Sequence, residues 1–244
     1  RGCNAASPTQ YGSTVAIGNV VVSPSEFMPR LFAENGRLLD SQGRITLDTP
    51  EALRALENYR ETYSYSDRTI YDFWKNALEG FADGTAAMTV VFINYASHIL
   101  NSQMSRIAGK LGFAPVPGGK PLLGGGVIGI AQSCTCPAAA CKFLEWLYAD
   151  LVAPVFTMLG GLSPCRSAYS NRDISEQYPW LSTARKSFPT AQRRSNSTYY
   201  QNFSELQLET ILAAHVQQAV LGVCSPEEAL KQAQEDCNRY FQPW

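Results

Sequence analysis

Short apolar runs separated by amphipathic stretches constrain the fold of this chain more than any other feature. The longest largely apolar run, at residues 86–93, is well below the roughly 20 residues that cross a bilayer and has the length of a buried β-strand. Between such runs, apolar residues recur at helical spacing. Strands that alternate with helices indicate an α/β chain with a mostly parallel sheet.

Four segments are predicted to be strands because they are rich in β-branched or apolar residues and end at turn-forming residues. They are residues 14–22, 86–92, 112–117 and 127–130. Residues 86–92 are apolar on both faces, so we expect this strand to be buried.

Helix signals are clearest where a capping side chain precedes a proline, at Thr49-Pro50 and Ser225-Pro226. Together with apolar spacing, they predict helices over residues 24–34, 50–63, 71–80, 137–148, 152–158, 206–216 and 225–241. Residues 167–197 are polar and contain proline, which predicts a long irregular surface segment.

Charge and composition exclude some function classes. The 244 residues carry 20 basic and 21 acidic side chains, a net charge of -1, so no global field attracts nucleic acid or an anionic membrane surface. The densest basic groups, Arg185-Lys186 and Arg193-Arg194, lie in a loop-like stretch and favour a solvated linker. Hydrophobic residues make up 45% of the chain, which is typical of a globular protein.

Catalytic and metal-binding motifs are weak in this sequence. His98 and His215 are isolated among apolar residues, which favours structural roles. Structural zinc sites normally use four ligands, and the best cluster offers three thiols: Cys134, Cys136 and Cys141. Cys136 also precedes a helix start, where a thiol pKa would fall, so a reactive cysteine is the alternative. We therefore expect no metal and no cofactor.

The seven cysteines form an odd set, so at least one thiol stays free. Cys224 and Cys237 would lie about 18 Å apart along one helix, too far for a disulfide bond. Near the start of the sequence, Gly2-Cys3 fits either a remnant of lipoprotein processing or an ordinary thiol.

Several short motifs occur in a fixed order along the chain. They are FADGTAAMT from Phe81, GKLGFAPVP from Gly109, GGGVIGI from Gly124, PAAACKFL from Pro137, GGLSPCR from Gly160 and SPEEAL from Ser225. Taken together, they resemble the sugar-binding family of extracellular solute receptors that serve ABC importers.

The resemblance implies a fold and a domain organisation. The expected fold is α/β with periplasmic-binding-protein-like (type II) architecture, in which two lobes close over a ligand. The amino-terminal half of the first lobe has no counterpart here, so the chain would hold one nearly complete lobe plus part of the other. Residues 1–124 and 176–244 would form the carboxy-terminal (second) lobe, and residues 125–175 would belong to the first.

The resemblance also implies a function without covalent chemistry. The protein would not be an enzyme; it would capture a mono- or oligosaccharide outside the cytoplasm and deliver it to the permease of an ABC transporter. A monomer is expected, with membrane contact only through a lipid anchor on the full-length protein and with no nucleic-acid partner. The alternatives are a cysteine-dependent enzyme on the same fold, using Cys136 or Cys165, and a sensor lobe that recognises a partner protein.

Candidate ligand contacts follow from position within the resemblance. Asn94 and Tyr95 are favoured because they follow a predicted strand at its carboxyl end, where open α/β sheets bind ligands. Phe27 and Phe92 are equally well explained as core residues. The full set is Ser25, Glu26, Phe27, Phe92, Asn94, Tyr95, Gly124, Gly125, Arg166, Tyr199 and Tyr200.

Overall fold

The computed structural model describes residues 7–18, 20–66, 73–170 and 172–244, which form two compact units. The first unit extends to Val91 and takes in Val116–Leu123 and Thr190–Trp244. The second consists of Phe92–Pro115 and Gly124–Pro189. Each unit is therefore assembled from segments that are distant in sequence. The assignment of residue ranges to the two lobes of the resembled family stays a prediction.

Helices dominate the described residues, and the strands are short. In chain order the helices are α1 (Val22–Ala33), α2 (Pro50–Ser64), α3 (Trp74–Ala82), α4 (Ala96–Leu100), α5 (Pro137–Leu147), α6 (Val152–Met158), α7 (Arg172–Gln177), α8 (Pro179–Ser187), α9 (Glu205–Leu221) and α10 (Pro226–Tyr240). The strands are β1 (Tyr11–Thr14), β2 (Ala86–Thr89), β3 (Leu122–Leu123) and β4 (Gln192–Arg193).

Side-chain caps start three long helices of the first unit. The Thr49 hydroxyl accepts a hydrogen bond from the Ala52 amide, and Ser225 accepts one from the Glu228 amide. Ser204 caps α9 in the same way. Each cap satisfies an amide that the helix itself leaves unpaired. The predicted helix starts at residues 50 and 225 are confirmed.

Both strand pairs of the first unit are parallel. Tyr11 lies opposite Ala86 and Thr14 opposite Thr89 in the pair of β1 and β2, and the two threonine hydroxyls are 2.9 Å apart. Strand β3 pairs with β4 in the same direction. The prediction of parallel strands separated by helices is confirmed.

The core of the first unit lies among α1, α2, α9 and α10. Phe27, Leu56, Leu212 and Ala233, one from each helix, are completely inaccessible to solvent. The turn Pro117–Gly119 closes against the end of α1, where a side chain at Gly118 would come within 2.3 Å of the Ala33 methyl group. Gly118 also has a φ of 79°, so this close approach requires glycine.

The second unit has a smaller core built around Trp180. This indole on α8 is fully buried and packs with Ala153 of α6, Tyr169 and Leu181. Residues 167–197 were predicted to be irregular, and that prediction is wrong, because α7 and α8 lie within them. The prediction failed because short helices in polar sequence are stabilised by one buried face, here Trp180, Leu181 and Ala184.

The sequence patterns predicted longer strands than the structure contains. Strand β2 ends at Thr89, and Met88 is 65% exposed, so the expectation of a strand buried on both faces to residue 92 is wrong. Its described sheet has only two strands, which leaves side chains of β2 uncovered. The predicted strand at residues 14–22 lies earlier, at Tyr11–Thr14, and α1 begins at Val22.

Two further predicted strands, at residues 112–117 and 127–130, are absent from the described structure. Val127 is completely exposed. A β-branched run becomes a strand only where a neighbouring strand can exchange backbone hydrogen bonds with it, and no described strand pairs with this run.

The remaining helix predictions are confirmed with shifts of a few residues at their ends, except for residues 71 and 72, which lie outside the described residues. Cys224 and Cys237 are both free thiols, as their predicted separation requires. No described helix combines the length and the apolar character that crossing a membrane would need. The Gly2-Cys3 motif lies outside the described residues.

Candidate functional site

Helix α1 carries the first group of predicted ligand residues. Ser25, Glu26 and Phe27 are all buried within the first unit, and Phe27 has no exposed surface. The complete burial of Phe27 favours a role in the core over a role as a ligand contact. Ligand contact by Ser25 and Glu26 stays a prediction.

Glu26 lies in a buried polar network. Its carboxylate is 3.1 Å from the Arg30 guanidinium and also interacts with the Trp74 side chain, and burial raises the pKa of Glu26. The Arg30 guanidinium lies 4.6 Å from the centre of the Tyr59 ring, and the Tyr59 hydroxyl donates to the Ala16 carbonyl at 2.6 Å. Glu26 therefore already has protein partners on its own helix and on α3.

A second polar group, which we call the Arg194 cluster, joins three elements of the first unit. It consists of Ser25 on α1, Arg194 directly after β4, and Glu205 and Glu209 on α9. Arg194 donates to the Ser25 hydroxyl at 2.8 Å and forms an ion pair with buried Glu209. Burial lowers the pKa of Arg194 and raises the pKa of Glu205.

The Arg194 cluster contains an acceptor that has no hydrogen-bond partner among the described residues. This is one carboxylate oxygen of Glu205, which is shielded from solvent. A buried acceptor of this kind is costly unless a donor reaches it. The cluster therefore offers guanidinium donors and carboxylate acceptors in one place, the groups that bind hydroxyl-rich ligands in proteins.

Sequence reasoning missed the Arg194 cluster. Arg193-Arg194 was predicted to be part of a solvated linker, but the Arg194 side chain is only 25% exposed, so that prediction is wrong for Arg194. Glu205 and Glu209 are spaced by four residues on one helix face, which is the only signal in the sequence. That spacing alone cannot identify an arginine after β4 as their partner.

Tyr199 and Tyr200 line an open cleft of about 470 Å³ in the first unit. Tyr200 is buried, and its hydroxyl accepts a hydrogen bond from the Ile45 amide at 2.9 Å, which is a structural role. Tyr199 packs edge-on against Tyr200, with ring centres 5.0 Å apart, and keeps part of its surface exposed. Tyr199 is thus the one of the pair that a ligand could reach, and its binding role stays a prediction.

The second unit holds the other candidate aromatic residues. Phe92 and Tyr95 are partly exposed, and Asn94 is exposed, around the 3-10 turn Ile93–Tyr95. A side chain at Gly124 would lie 3.2 Å from the Phe92 ring, so the structure brings these two predicted residues together.

The same turn also approaches a glycine loop. A side chain at Gly160 would come within 2.2 Å of the Ser97 hydroxyl and 3.6 Å of the Asn94 carbonyl oxygen. Gly160 has a φ of 96°, so both its conformation and its surroundings require glycine. The glycine of the GGLSPCR motif therefore fixes the loop against the segment that carries Asn94 and Tyr95.

Two predicted residues of the second unit are exposed to solvent, Gly125 and Arg166. No described residue lies within 4 Å of a side chain built at Gly125. Arg166 begins the 3-10 helix Arg166–Tyr169 and is exposed. Their roles as ligand contacts stay predictions.

The histidines and cysteines are dispersed. The His215 ring nitrogen Nε2 lies 2.8 Å from the Asp236 carboxylate, which links α9 to α10 and agrees with a structural histidine. Burial raises the pKa of the Cys237 thiol to about 12. Within the described ranges, no three histidine, cysteine or acidic side chains are grouped closely enough to hold a metal ion.

Comparison with known proteins identifies the family. A sequence model of bacterial extracellular solute-binding proteins matches residues 6–183, well over half of the chain. The chain belongs to this family. Its resemblance to the solute receptors of ABC importers is therefore confirmed.

Solved structures of similar proteins have the same fold as this extracellular solute-binding protein. The maltose-bound MalE3 of T. maritima has a TM-score of 0.79 at 22% identity, with 94% of this chain and 60% of that chain covered. A solute-binding protein of Agrobacterium radiobacter in complex with ribitol gives a TM-score of 0.74 at 21% identity, covering 95% of this chain and 60% of that one. The predicted type II periplasmic-binding-protein fold is confirmed.

A curated relative of this solute-binding protein is the probable amino-acid ABC transporter periplasmic-binding protein y4oP of Sinorhizobium fredii. It is 20% identical over 182 residues, which are 73% of this chain and 42% of the relative. The chain thus spans less than two thirds of the curated relative and of both structures. In agreement with this coverage, the chain comprises one nearly complete lobe plus part of the other.

Proposed function

We propose that the protein containing this chain binds a sugar or a related polyol outside the cytoplasm and delivers it to the permease of an ABC importer. The observation that carries the proposal is the fold, which over nearly the whole chain is that of proteins solved with maltose and with ribitol. Both ligands are rich in hydroxyl groups. The family itself consists of solute-binding proteins.

Local chemistry of the first unit supports the same ligand class. The Arg194 cluster combines donors with an unpartnered buried acceptor on Glu205, and a ligand hydroxyl can donate to that oxygen. The Ser25 hydroxyl is already engaged by Arg194, so we assign Ser25 a positioning role. In the second unit, the partly exposed ring of Tyr95 offers an aromatic face for a pyranose ring.

A second candidate ligand is an amino acid, because the curated relative is described as a probable amino-acid transporter component. A carboxylate would need an accessible cation. Arg194 is already paired with Glu209, which favours a neutral hydroxylated ligand over an amino acid.

The test is thermal unfolding of the full-length protein with a panel of monosaccharides, oligosaccharides, polyols and amino acids. A ligand at about 100 times its Kd stabilises the native state by about 2.7 kcal/mol, which appears as a higher Tm. We expect a sugar or polyol to raise the Tm. A rise with amino acids alone would replace the proposal by the second candidate, and no rise with any compound would refute both.

A variant then tests the proposed contact between Tyr95 and the ligand. Tyr95→Ala should weaken the best ligand at least about tenfold, since aromatic stacking on a sugar ring is lost. Tyr65→Ala is the matched control, because Tyr65 is a similarly accessible tyrosine outside the candidate site. Unchanged affinity in Tyr95→Ala would remove Tyr95 from the site.

We further propose that the protein is a receptor without enzymatic activity, that it acts as a monomer, and that a lipid anchor tethers the full-length form. Alkylation of the exposed thiols Cys136 and Cys141 should leave ligand binding unchanged. Turnover of a bound sugar that alkylation abolishes would favour the cysteine-dependent enzyme instead.

A further inference from the structure

Two cysteines lie close together in the chain immediately before helix α5. Cys134 is half-buried and Cys136 is exposed, and only Thr135 separates them, which is the shortest spacing between two cysteines in the sequence. Neither side chain belongs to the candidate ligand contacts or to the core around Trp180. The pair is therefore available for chemistry that neither packing nor the predicted ligand contacts use.

Backbone hydrogen bonds hold both cysteines in place. The Cys134 amide donates to the Ala131 carbonyl at 2.9 Å and closes a turn. On the other side, the Cys136 carbonyl accepts hydrogen bonds from the amides of Ala139 and Ala140 at 3.1 and 3.2 Å, which begins α5. The chain bends at the residue between the two cysteines. They therefore lie at the two ends of one short, fixed bend.

The chain between the two cysteines has the right length for a disulfide bond. Two fully extended peptide units span about 7 Å, and the bend at Thr135 shortens that span. Disulfides join cysteines whose Cα atoms lie about 4.4–6.8 Å apart. A ring closed over a single intervening residue is strained, and strained disulfides are the ones that are reduced most readily. A bond between Cys134 and Cys136 would therefore be reversible.

The sulfur atoms of the pair are free to react. Cys136 makes no side-chain hydrogen bond at the start of α5, and no described residue bonds the Cys134 sulfur. Other cysteines of the chain are engaged or buried. The Cys165 thiol donates to the Tyr148 carbonyl at 3.7 Å, and burial raises the pKa of Cys237 to about 12. Since the thiolate is the species that exchanges with disulfides, burial makes Cys237 unreactive.

Cys141 on α5 is the other exposed thiol of this stretch, and it is a poorer partner for Cys136. It lies five residues further along the helix, and the helical rise alone separates the two Cα atoms by about 7.5 Å. That distance exceeds the limit of about 7 Å for a disulfide bond. A shared metal ion is also not indicated, because the described residues contain no group of three potential ligands.

We propose that Cys134 and Cys136 form a redox-active pair, which closes a reversible disulfide by exchange with a small disulfide such as oxidised glutathione. The more exposed Cys136 thiolate attacks the small disulfide, which gives a mixed disulfide and releases one glutathione thiol. Cys134 then attacks the Cys136 sulfur and releases the second. Two protein thiols are oxidised and one small disulfide is reduced to two thiols, which take up the two thiol protons.

The setting of the protein agrees with this chemistry. The chain belongs to a family of extracellular proteins, and disulfides form and persist in extracellular and periplasmic environments. The two positions are also favourable kinetically, because a second thiol held beside a mixed disulfide attacks it in an intramolecular step. The pair should therefore close rather than remain as two separate adducts.

The test treats the reduced full-length protein with oxidised glutathione. A Cys141→Ser background leaves Cys134 and Cys136 as the only cysteines of the tryptic peptide that ends at Lys142. Mass spectrometry should show that this peptide loses two hydrogen atoms. Alkylation of both cysteines should become at least about tenfold slower than in the reduced protein, because a disulfide has no thiolate to react. Dithiothreitol should restore the mass and the alkylation rate.

Single variants distinguish an internal disulfide from simple addition of glutathione. In Cys134→Ser and in Cys136→Ser the second step cannot occur, so a stable glutathione adduct should accumulate on the remaining thiol. Cys224→Ser is the matched control, because Cys224 is another half-buried thiol that lies in the first unit. That variant should close the Cys134–Cys136 bond as the parent protein does.

Three results would overturn the proposal. Stable glutathione adducts on both Cys134 and Cys136, without loss of two hydrogen atoms, would mean that the two sulfurs cannot meet. Unchanged alkylation after the treatment would mean that no exchange occurs. A bond from either cysteine to Cys141 in the protein with all its cysteines would identify a different pair. None of these results depends on which solute the protein binds.

Discussion

The two compact units differ in how their cores are completed. In the first unit, four long helices each bury an apolar face, and two ion pairs lie inside the unit, Glu26 with Arg30 and Arg194 with Glu209. In the second unit, one indole fills the centre of a small core, and α5 contributes no buried residue. The comparison teaches that an amphipathic helix buries its apolar face only where other described residues pack against it.

The largest effect is expected from Trp180→Ala in the second unit. Loss of a fully buried indole should lower the free energy of unfolding of that unit by about 3–5 kcal/mol. Urea unfolding followed by hydrogen exchange would report each unit separately. The matched control is Trp146→Ala on α5, which should change stability by no more than about 0.5 kcal/mol. Equal effects would mean that α5 is covered and would break the comparison.

The next effect tests the ion pair inside the first unit. Glu209→Ala leaves Arg194 partly buried without its partner, which should cost about 3 kcal/mol in urea unfolding. Arg194→Met/Glu209→Leu removes both charges and should recover most of the loss. Arg239→Ala, at an exposed pair, should stay within about 0.5 kcal/mol. If the double variant were as unstable as the single one, polar pairing would not be the relevant difference between the units.

A smaller effect is expected from Tyr59→Phe, which removes one buried hydrogen bond. The Ala16 carbonyl would lose its donor, and the first unit should be destabilised by about 1–2 kcal/mol. Tyr65→Phe is the control, because its hydroxyl interacts with Glu61 on an exposed surface. A loss in the second unit instead would contradict the assignment of α2 to the first core.

The smallest effect is a pH dependence that belongs to the first unit. Burial raises the pKa of Glu26 above 4.5, so the folded unit keeps a proton that the unfolded chain releases. This carboxyl therefore contributes stability that is fully present below pH 4.5 and is lost as the pH rises through the folded pKa. Glu26→Gln should flatten that decline in urea midpoints measured between about pH 4 and pH 7.

Asp236→Asn provides the control of opposite sign. The hydrogen bond from His215 lowers the pKa of Asp236, so its contribution is present above 3.8 and is lost as the pH falls. The variant should lower stability at neutral pH more than in acid. The same slope for both variants would contradict the buried position of Glu26.

The sequence predicted those parts of the fold that local chemistry determines. Thr49 and Ser225 mark helix starts because a hydroxyl directly before a proline in the first helical turn is well placed to accept a hydrogen bond from a helix amide. The run at Val127 was misread because strand formation depends on a partner strand, which the run itself does not encode. The burial of Trp180 could not be predicted from its polar segment for a similar reason, because burial depends on which residues pack against the indole.

The candidate site was only partly accessible to sequence reasoning. Resemblance indicated Phe92 and Gly124, which the structure brings into contact. It did not indicate Arg194, Glu205 and Glu209, because an ion pair between β4 and α9 depends on tertiary packing.

The first unit is closed by its last segment, and this affects how the protein can be made. Helices α9 and α10 pack on α1 and α2, which lie more than about 140 residues earlier in the chain, and β4 pairs with β3, which lies about 70 residues earlier. A chain emerging from the ribosome therefore cannot finish this unit until α9 and α10 have been synthesised. Until then, α1 and α2 can pack on each other but lack the surfaces of α9 and α10, so completion of the first core is a late step in the synthesis of this unit.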